Sequence, residues 1–187
     1  MLNSNEDKFR LLGKIRKEAL ETGTTRTLSS GKNSDYYIDG KLVTLDPEGA
    51  FLTAKVIFDM LSSMDFDAVG GLTLGADPIV GALALYSYIN KRPIQTFIVR
   101  KDPKKHGTMK LIEGKFTKGS RVVIVDDVVT TGKSILQAID AVKQEEGKIE
   151  KIIALVDREA GAREMFASLG YKFEPIFTKE DLINDNR

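Results

Sequence analysis

The sequence predicts an α/β fold, in which helices flank a mostly parallel central sheet. Two observations carry this prediction. Short apolar segments alternate with segments of helical spacing from about residue 46 onward, the pattern of strands joined by helices. Two of the apolar segments, RVVIVDD and KIIALVD, are almost continuous, as in strands that are covered on both faces. Ligands of such sheets bind beyond the carboxyl ends of the strands.

The N-terminal part is less regular. Residues 5–22 predict an amphipathic helix, because apolar side chains recur at roughly helical spacing (Phe9, Leu12, Ile15 and Leu20). The stretch up to about residue 45 has Gly, Ser and Asn between short β-prone pieces, which predicts irregular strands and turns. Asp46 and Pro47 then combine an N-cap with a proline at the first helical position, so a helix is expected from there to about Met64.

The remaining segments alternate. In chain order we predict strand 67–73, helix 77–90, strand 94–100, an unperiodic segment 101–119, strand 121–127, helix 134–147, strand 151–157, helix 162–170 and edge strand 171–178. Gly147 is the expected stop of the helix predicted over 134–147. Polar segments follow strands 94–100, 121–126 and 151–156, where a ligand would bind.

Composition narrows the function classes. The chain has 187 residues, 42% hydrophobic and 29% charged, as expected for one globular domain. The net charge of +1 gives no global attraction for nucleic acid, and the lack of cysteine excludes a thiolate nucleophile. The first ten residues lack the apolar run of a signal peptide, and no stretch approaches the ~20 apolar residues of a membrane span. We therefore expect a cytoplasmic location, with no membrane partner.

The stretch VVIVDDVVTTGKS at 122–134 ends like an ATP-binding P-loop. That pattern needs its first glycine at position 127, where this chain has Asp127, next to Asp126. Two carboxylates at this place would repel a triphosphate. A ligand with hydroxyls for the two acids and a phosphate for the turn fits better.

A ribose 5-phosphate meets both requirements. Residues 130–134 would present hydroxyls and backbone N–H groups at a helix N-terminus, which binds a phosphate monoester. The two acids would accept hydrogen bonds from vicinal ribose hydroxyls. The structural alternative is an acidic strand end followed by a Thr/Gly turn.

VVIVDDVVTTGKS resembles the phosphoribosyl-pyrophosphate motif of the type I phosphoribosyltransferases. The resemblance implies their fold, with a small N-terminal hood (about 1–45) on a core (about 46–187) in a single domain of residues 1–187. It implies that Mg²⁺ bridges the pyrophosphate and the ribose hydroxyls. The sequence shows no dedicated metal cage, so the ion is expected to arrive with the substrate, with water-mediated contacts to Asp126 and Asp127. Substrate contacts are implied for Asp126, Asp127, Val128, Val129, Thr130, Thr131, Gly132, Lys133 and Ser134.

The segment from Arg100 to Lys118 concentrates positive charge, with seven basic residues against two acidic ones, and it holds the only histidine, His106. A long unperiodic segment is typical of a functional loop. The loop would close over departing pyrophosphate, whose negative charge Lys and Arg stabilise and to which a histidine donates a proton. The alternative is a solvated charged loop.

RKDPKKHG at 100–107 resembles the R-K-x-x-K-x-H-G loop of the orotate phosphoribosyltransferase family. The resemblance implies that the loop binds phosphoribosyl pyrophosphate, and that its catalytic residues act together with Asp126 and Asp127. The matching residues are Arg100, Lys101, Lys104, His106 and Gly107. In that family the loop reaches the neighbouring subunit's active site, so a homodimer with a 101–118 loop exchanged between subunits is implied.

Two further segments point to orotate. VDREAGARE at 156–164 resembles the family's D-R-E-x-G signature, which implies that Arg158 binds the base, and an Arg fork suits the carboxylate of orotate. SGKNSDYYIDGK at 30–41 resembles its hood, where Tyr36 and Tyr37 would offer the base an aromatic wall, with Thr130 as a further contact. The alternative for at least one tyrosine is a strand residue of a small core. Two departures are Ser29, where many members have Lys, and Gly75-Ala76 in the segment 70–78, where some have Tyr-Lys.

The expected reaction is transfer of the phosphoribosyl group from phosphoribosyl pyrophosphate to orotate, giving orotidine 5′-phosphate and pyrophosphate. Two alternatives remain: a phosphoribosyltransferase for another base, such as a purine, and a regulator that binds phosphoribosyl pyrophosphate without turnover. Arg158 disfavours the first, since hypoxanthine has no carboxylate. The second would be expected to carry a basic face or an added DNA-binding segment.

Overall fold

The computed structural model describes residues 4–27, 33–102 and 110–184, and these form two β-sheets. The smaller sheet pairs β1 (Leu20–Thr27) antiparallel to β2 (Asn33–Ile38). The larger sheet has six strands in the order β5-β4-β3-β6-β7-β8. Its strands are β3 (Ala68–Leu72), β4 (Gln95–Val99), β5 (Ile112–Gly114), β6 (Arg121–Val129), β7 (Lys148–Asp157) and β8 (Phe173–Thr178). All its pairings are parallel except β4 with β5, so the predicted fold class is confirmed.

Helices cover both faces of the larger sheet. They are α1 (Ser4–Lys14), α2 (Lys41–Thr44), α3 (Pro47–Met60), α4 (Ala76–Ile89), α5 (Lys133–Gln144), α6 (Ala162–Ser168) and α7 (Lys179–Ile183). Helix α3 begins as the sequence predicts, with Pro47 at its first position and the Asp46 side chain accepting a hydrogen bond from the Gly49 N–H at 2.9 Å. No helix within the described ranges has both the length and the apolarity needed to cross a membrane.

Strand β6 shows why the apolar run at 122–125 is continuous. Val123 and Val125 belong to the core that includes residues of α1, α3 and α4, whereas Val122 and Ile124 belong to the core that includes residues of α5 and α6. Successive side chains of a strand point to opposite faces, so both sets must be apolar when both faces are covered. This central strand therefore reaches the carboxyl edge of the sheet from inside the protein.

Several predicted boundaries were wrong, and three of them have a clear physical reason. The helix predicted over 5–22 ends at Lys14 and a π-helical turn follows at Ile15–Ala19, because Leu20 already pairs with Ile38 in the small sheet. Strand β6 continues past the two acids, since Val128 pairs with Val156 of β7. Pairing to a neighbouring strand outweighs local preference in both places.

The third concerns the end of α5. The left-handed residue there is Glu146, with φ of 60°, rather than Gly147, whose N–H donates to the Val142 carbonyl at 2.9 Å. The sequence also gave no sign of β5 within the segment 101–119, nor of α7 after the last strand. That last strand, β8, is an edge strand as predicted, paired with β7 alone among the described strands.

Candidate active site

The carboxyl edge of the parallel strands gathers most of the predicted site residues. Asp126 and Asp127 lie near the end of β6, and Arg158 follows β7 directly. The segment that joins β3 to α4 meets the two acids from the other side. Neighbouring parallel strands end at the same edge of a sheet, which brings these distant parts of the sequence together.

Asp126 and Asp127 form a buried pair, each about 5% exposed. The Ser134 hydroxyl donates to Oδ2 of Asp126 at 2.8 Å, and the Asp127 N–H donates to its Oδ1 at 3.0 Å. Burial, together with the negative charge of Asp127, raises the pKa of Asp126 to about 7. The pair therefore binds or releases a proton close to neutral pH.

Lys41 is a site residue that the sequence analysis missed. Its Nζ donates to Oδ2 of Asp127 at 3.0 Å, while the Val128 N–H donates to the other oxygen at 2.8 Å. Burial opposes the positive charge of Lys41, but the carboxylates of Asp127 and Asp39 outweigh it and raise the pKa of the lysine. The turn after β2 brings Lys41 to β6, a contact between residues 86 positions apart. A single lysine in the hood motif carries no sequence pattern that predicts such a contact.

Two glycines let the backbone approach the acids. A Cβ at Gly75 would lie 2.6 Å from Oδ1 of Asp127 and would also overlap Asp126. A Cβ at Gly40 would lie 2.9 Å from the Val128 side chain and 3.0 Å from Cβ of Asp127. A Cβ at Gly75 would therefore displace the two carboxylates, and a Cβ at Gly40 would press on the side chains of Val128 and Asp127.

The turn between β6 and α5 has the form that the motif predicts. Gly132 has φ of +78°, a left-handed conformation that disfavours other residues. A Cβ there would also lie 2.6 Å from the Phe166 ring, so α6 requires the glycine as well. Helix α5 begins at Lys133, directly after Thr130 and Thr131, and its first backbone N–H groups have no partner within the helix. This geometry favours an anion.

Arg158 and Tyr36 meet beside the acids. Arg158 is about 6% exposed, and its Cζ lies 4.5 Å from the centre of the Tyr36 ring. One terminal nitrogen donates to the Tyr36 carbonyl at 3.2 Å. Successive strand residues point to opposite faces, so Tyr36 and Tyr37 lie on different faces of β2 and cannot form one wall together.

The D-R-E-x-G segment owes its shape to Asp157. This carboxylate is buried and accepts a hydrogen bond from the Glu159 N–H at 2.9 Å. Glu159 and Gly161 have φ of 53° and 98°, so the chain turns sharply after Arg158. The Arg158 N–H is held by the Val129 carbonyl at 2.9 Å. Arg158 is thus fixed between β6 and β7 at its backbone and by Tyr36 at its side chain.

Of the start of the basic segment, the structure describes Arg100, Lys101 and Asp102. Arg100 and Lys101 line a cleft of about 460 Å³ whose other walls include Thr73 and Glu113. The Arg100 guanidinium lies 3.8 Å from the Glu113 carboxylate, so its charge is partly balanced in this state. Lys104 and His106, predicted as catalytic, lie outside the described residues, as does Ser29.

Metal-ligating side chains do not cluster within the part of the chain that the structure describes: no three carboxylates or imidazoles gather there. The hard oxygen donors that precede the Gly132 turn are the two aspartates of β6, and Lys41 already donates to one of them. These donors fit a hard cation such as Mg²⁺ that keeps most of its ligands from water and substrate.

Comparison with known proteins gives consistent relatives. The phosphoribosyl transferase domain model matches residues 50–167. The orotate phosphoribosyltransferase of Aquifex aeolicus is 41% identical over 183 residues, which cover 98% of this chain and 100% of the relative. The enzyme of that name from Nostoc sp. is 47% identical over 156 residues, covering 83% of this chain and 75% of the relative. The crystal structure of the Mycobacterium tuberculosis orotate phosphoribosyltransferase in complex with Fe(III) dicitrate has a TM-score of 0.83, with 36% identity over 95% of this chain and 99% of that one.

Proposed function

The chain belongs to the orotate phosphoribosyltransferase family, and we propose that the cleft at the carboxyl edge of its sheet is the active site. The enzyme transfers the phosphoribosyl group from phosphoribosyl pyrophosphate to orotate, giving orotidine 5′-phosphate and pyrophosphate in pyrimidine biosynthesis. The observation that carries the assignment of the site is the buried Asp126–Asp127 pair, which directly precedes the Gly132 turn and the start of α5.

The ribose 5-phosphate binds between these two features. Asp126 and Asp127 accept hydrogen bonds from the ribose hydroxyls, and they orient the sugar. The segment from Val128 to Ser134 encloses the 5-phosphate with the backbone N–H groups and hydroxyls at the start of α5. The fixed distance between the strand end and the helix start selects a ligand that carries both groups.

Orotate binds on the side of Arg158. The guanidinium of Arg158 pairs with the ring carboxylate of orotate, and Thr130 is a further contact. Tyr36 provides the apolar surface for the flat base. Tyr37, also expected to contact orotate, contributes from the other face of β2 to the shape of the hood. The ring nitrogen of orotate then loses its proton to solvent and attacks C1 of the ribose, as the bond from C1 to pyrophosphate breaks.

Negative charge accumulates on the leaving pyrophosphate in this step. Arg100 and Lys101 lie at the cleft where that charge would develop. Lys104 and His106 join them from the loop of the neighbouring subunit when that loop closes. His106 donates a proton to the departing pyrophosphate. Positive charge develops on the sugar at the same time, and the carboxylates of Asp126 and Asp127 stabilise it.

Mg²⁺ is the proposed cofactor. Asp126 and Asp127 offer oxygen ligands, directly or through water, and the ion would neutralise charge on the pyrophosphate. Lys41 keeps one carboxylate oxygen occupied, so this chain holds the ion through few protein ligands. The affinity for Mg²⁺ should therefore be weak without substrate and stronger with it.

A homodimer is the proposed assembly, with the 101–118 loop of each subunit serving its neighbour. Exposed apolar side chains on the three contacting helices α2, α3 and α4, and on the residue that follows α2, support an interface (Leu42, Leu45, Phe51, Leu85, Tyr88 and Ile89). Three of them recur at positions 85, 88 and 89, one face of α4. An apolar face of this kind on the outside of a domain typically marks a protein interface.

The reaction is tested by following the loss of orotate absorbance with phosphoribosyl pyrophosphate and Mg²⁺, beside a panel of purine bases and uracil. Turnover of orotate alone supports the assignment. Lys101→Ala should abolish most of it, whereas Lys91→Ala, at the opposite edge of the sheet, should not. Turnover of a purine, or tight substrate binding without any turnover, would contradict the role given to Arg158 or to the loop.

The exchange of the loop is tested by mixing two inactive variants, Lys104→Ala in the loop and Asp126→Asn in the acid pair. If the loop serves the neighbouring subunit, random pairing restores up to about a quarter of the wild-type activity, since half the dimers hold one intact site. If each subunit uses its own loop, mixing restores nothing. The mass of the particle in solution reports the dimer independently.

A further inference from the structure

Lys179, the first residue of α7, also lies against Tyr36. Its Nζ is 5.1 Å from the centre of the ring, and Arg158 approaches the same ring to 4.5 Å. Both distances lie within the range of cation–π contacts. The side chain that offers its aromatic surface to the base is therefore flanked by two positive charges, from parts of the chain that are 21 positions apart.

The short helix α7 holds Lys179 in place by several contacts. Its first turn is closed by a capping box, in which Thr178 and Asp181 exchange backbone–side-chain hydrogen bonds of 2.8 and 3.3 Å. Arg16 donates to the Asp181 carbonyl at 2.7 Å and to that of Asn184 at 2.6 Å. Leu182 is buried in the core. A helix of five residues is unstable alone, so these contacts fix the position of α7 and of Lys179, its first residue.

The acids that flank Arg158 in the sequence have partners of their own. The Glu159 carboxylate accepts a hydrogen bond from the Glu180 N–H at 3.2 Å. Asp157 is buried under the turn and lies 3.9 Å from Arg163. Lys179 is half-buried on a flexible four-carbon stem, so its ammonium group can leave the ring and reach a ligand.

We propose that Lys179 is a specificity-determining residue, which pairs with the carboxylate of the base together with Arg158. This inference rests on the proposed function, because it places orotate beside Tyr36. Arg158 supplies a fixed fork, since its side chain is tied to Tyr36, and Lys179 supplies a mobile charge. The two cations select a base with a ring carboxylate against uracil, which has none.

The experiment compares Lys179→Met and Lys179→Arg with Lys143→Met. Lys143 makes the same kind of contact, 5.3 Å from the Tyr171 ring, at the far end of α5. For Lys179→Met the KM for orotate should rise about tenfold, as for loss of one charge-assisted contact, with kcat and the KM for phosphoribosyl pyrophosphate within about twofold of wild type. Lys179→Arg should recover most of the loss, and Lys143→Met should behave as wild type.

Product binding supplies a readout that does not depend on turnover. Calorimetry with orotidine 5′-phosphate and uridine 5′-phosphate compares ligands that differ only in the carboxylate. Lys179→Met should weaken the first and leave the second unchanged. Equal weakening of both, or an unchanged KM for orotate, would overturn the proposal and make Lys179 a purely structural contact of Tyr36. Failure of the wild type to consume orotate would instead overturn the proposed function itself.

Discussion

Replacing Lys41 by Met should shift the pH dependence of the reaction. The lysine Nζ lies 3.0 Å from a carboxylate oxygen of the buried acid pair. Two unit charges at that distance attract by roughly 5 kcal/mol at an effective dielectric constant of about 20. The lysine side chain is 39% exposed, so solvent screening reduces the useful part to about 1 kcal/mol. That free energy corresponds to about 0.7 of a pH unit.

The direction follows from the charge that is removed. In the proposed mechanism the ribose binds to the ionised pair, so activity should fall as the pH drops through the pKa of Asp126. Burial and the charge of Asp127 raise that pKa to about 7. Lys41 favours the ionised form. Without it the pair holds its proton to higher pH, and the acid limb of kcat/KM for phosphoribosyl pyrophosphate should move up by about 0.7 of a pH unit.

The assay is kcat/KM for phosphoribosyl pyrophosphate between about pH 5.5 and 9, which reports ionisation in the free enzyme. Lys151→Met is the matched control, because Lys151 lies 2.7 Å from the Glu174 carboxylate in β8, outside the cleft. An acid limb that is identical in wild type and Lys41→Met would refute the reasoning. A loss of activity that is equal at every pH would also refute it, since it would indicate a contact with substrate instead of an effect on the acids.

Three further predictions concern the same edge of the sheet. Asp126→Asn should abolish turnover and should raise the melting temperature by about 5 °C at pH 8 but little at pH 4, which scanning calorimetry at both pH values would show. The pKa of Asp126 is higher in the folded than in the unfolded state, so its ionisation lowers the stability of the fold as the pH rises from about 4 to 7. Gly75→Ala should lower kcat/KM for phosphoribosyl pyrophosphate at least tenfold with little change in far-UV dichroism, because its Cβ displaces both carboxylates; wild-type kinetics would contradict this. Arg158→Lys should raise the KM for orotate by about a hundredfold, since Lys has no fork for a carboxylate; an equal rise in the KM for phosphoribosyl pyrophosphate would contradict the assignment.

Five of the six strands of the larger sheet could be predicted, because the pattern that identifies each of them lies within its own segment. Strands such as β6 are buried on both faces, so nearly every side chain is apolar and the segment is visible without knowledge of its partners. The turn at Gly132 could be predicted for a similar reason, because the residues that form it, from Thr130 to Ser134, are adjacent in the sequence. These features place the acids and the start of α5 correctly.

The hood and the last helix could not be predicted in the same way. The helical part of the N-terminus ends before Leu20, because Leu20 pairs with Ile38, 18 positions away. Helix α7 depends on Arg16, which reaches it from the other end of the sequence. Lys41 and Lys179 are single lysines in polar surroundings, and only the contacts to Asp127 and Tyr36 distinguish them. Contacts of this kind have no sequence period.

The acid pair explains why the hood belongs to the site. Two carboxylates side by side in a buried position repel each other, and burial alone would favour their neutral forms. Ser134 offers one oxygen a hydrogen bond, and Lys41 offers another a charge. The first contact comes from α5 and the second from the hood, so the core alone would leave the pair more strongly protonated. A hood that opened would therefore change the charge of the acids as well as the access of substrate to them, and binding of the ribose would be coupled to the position of β2 and α2.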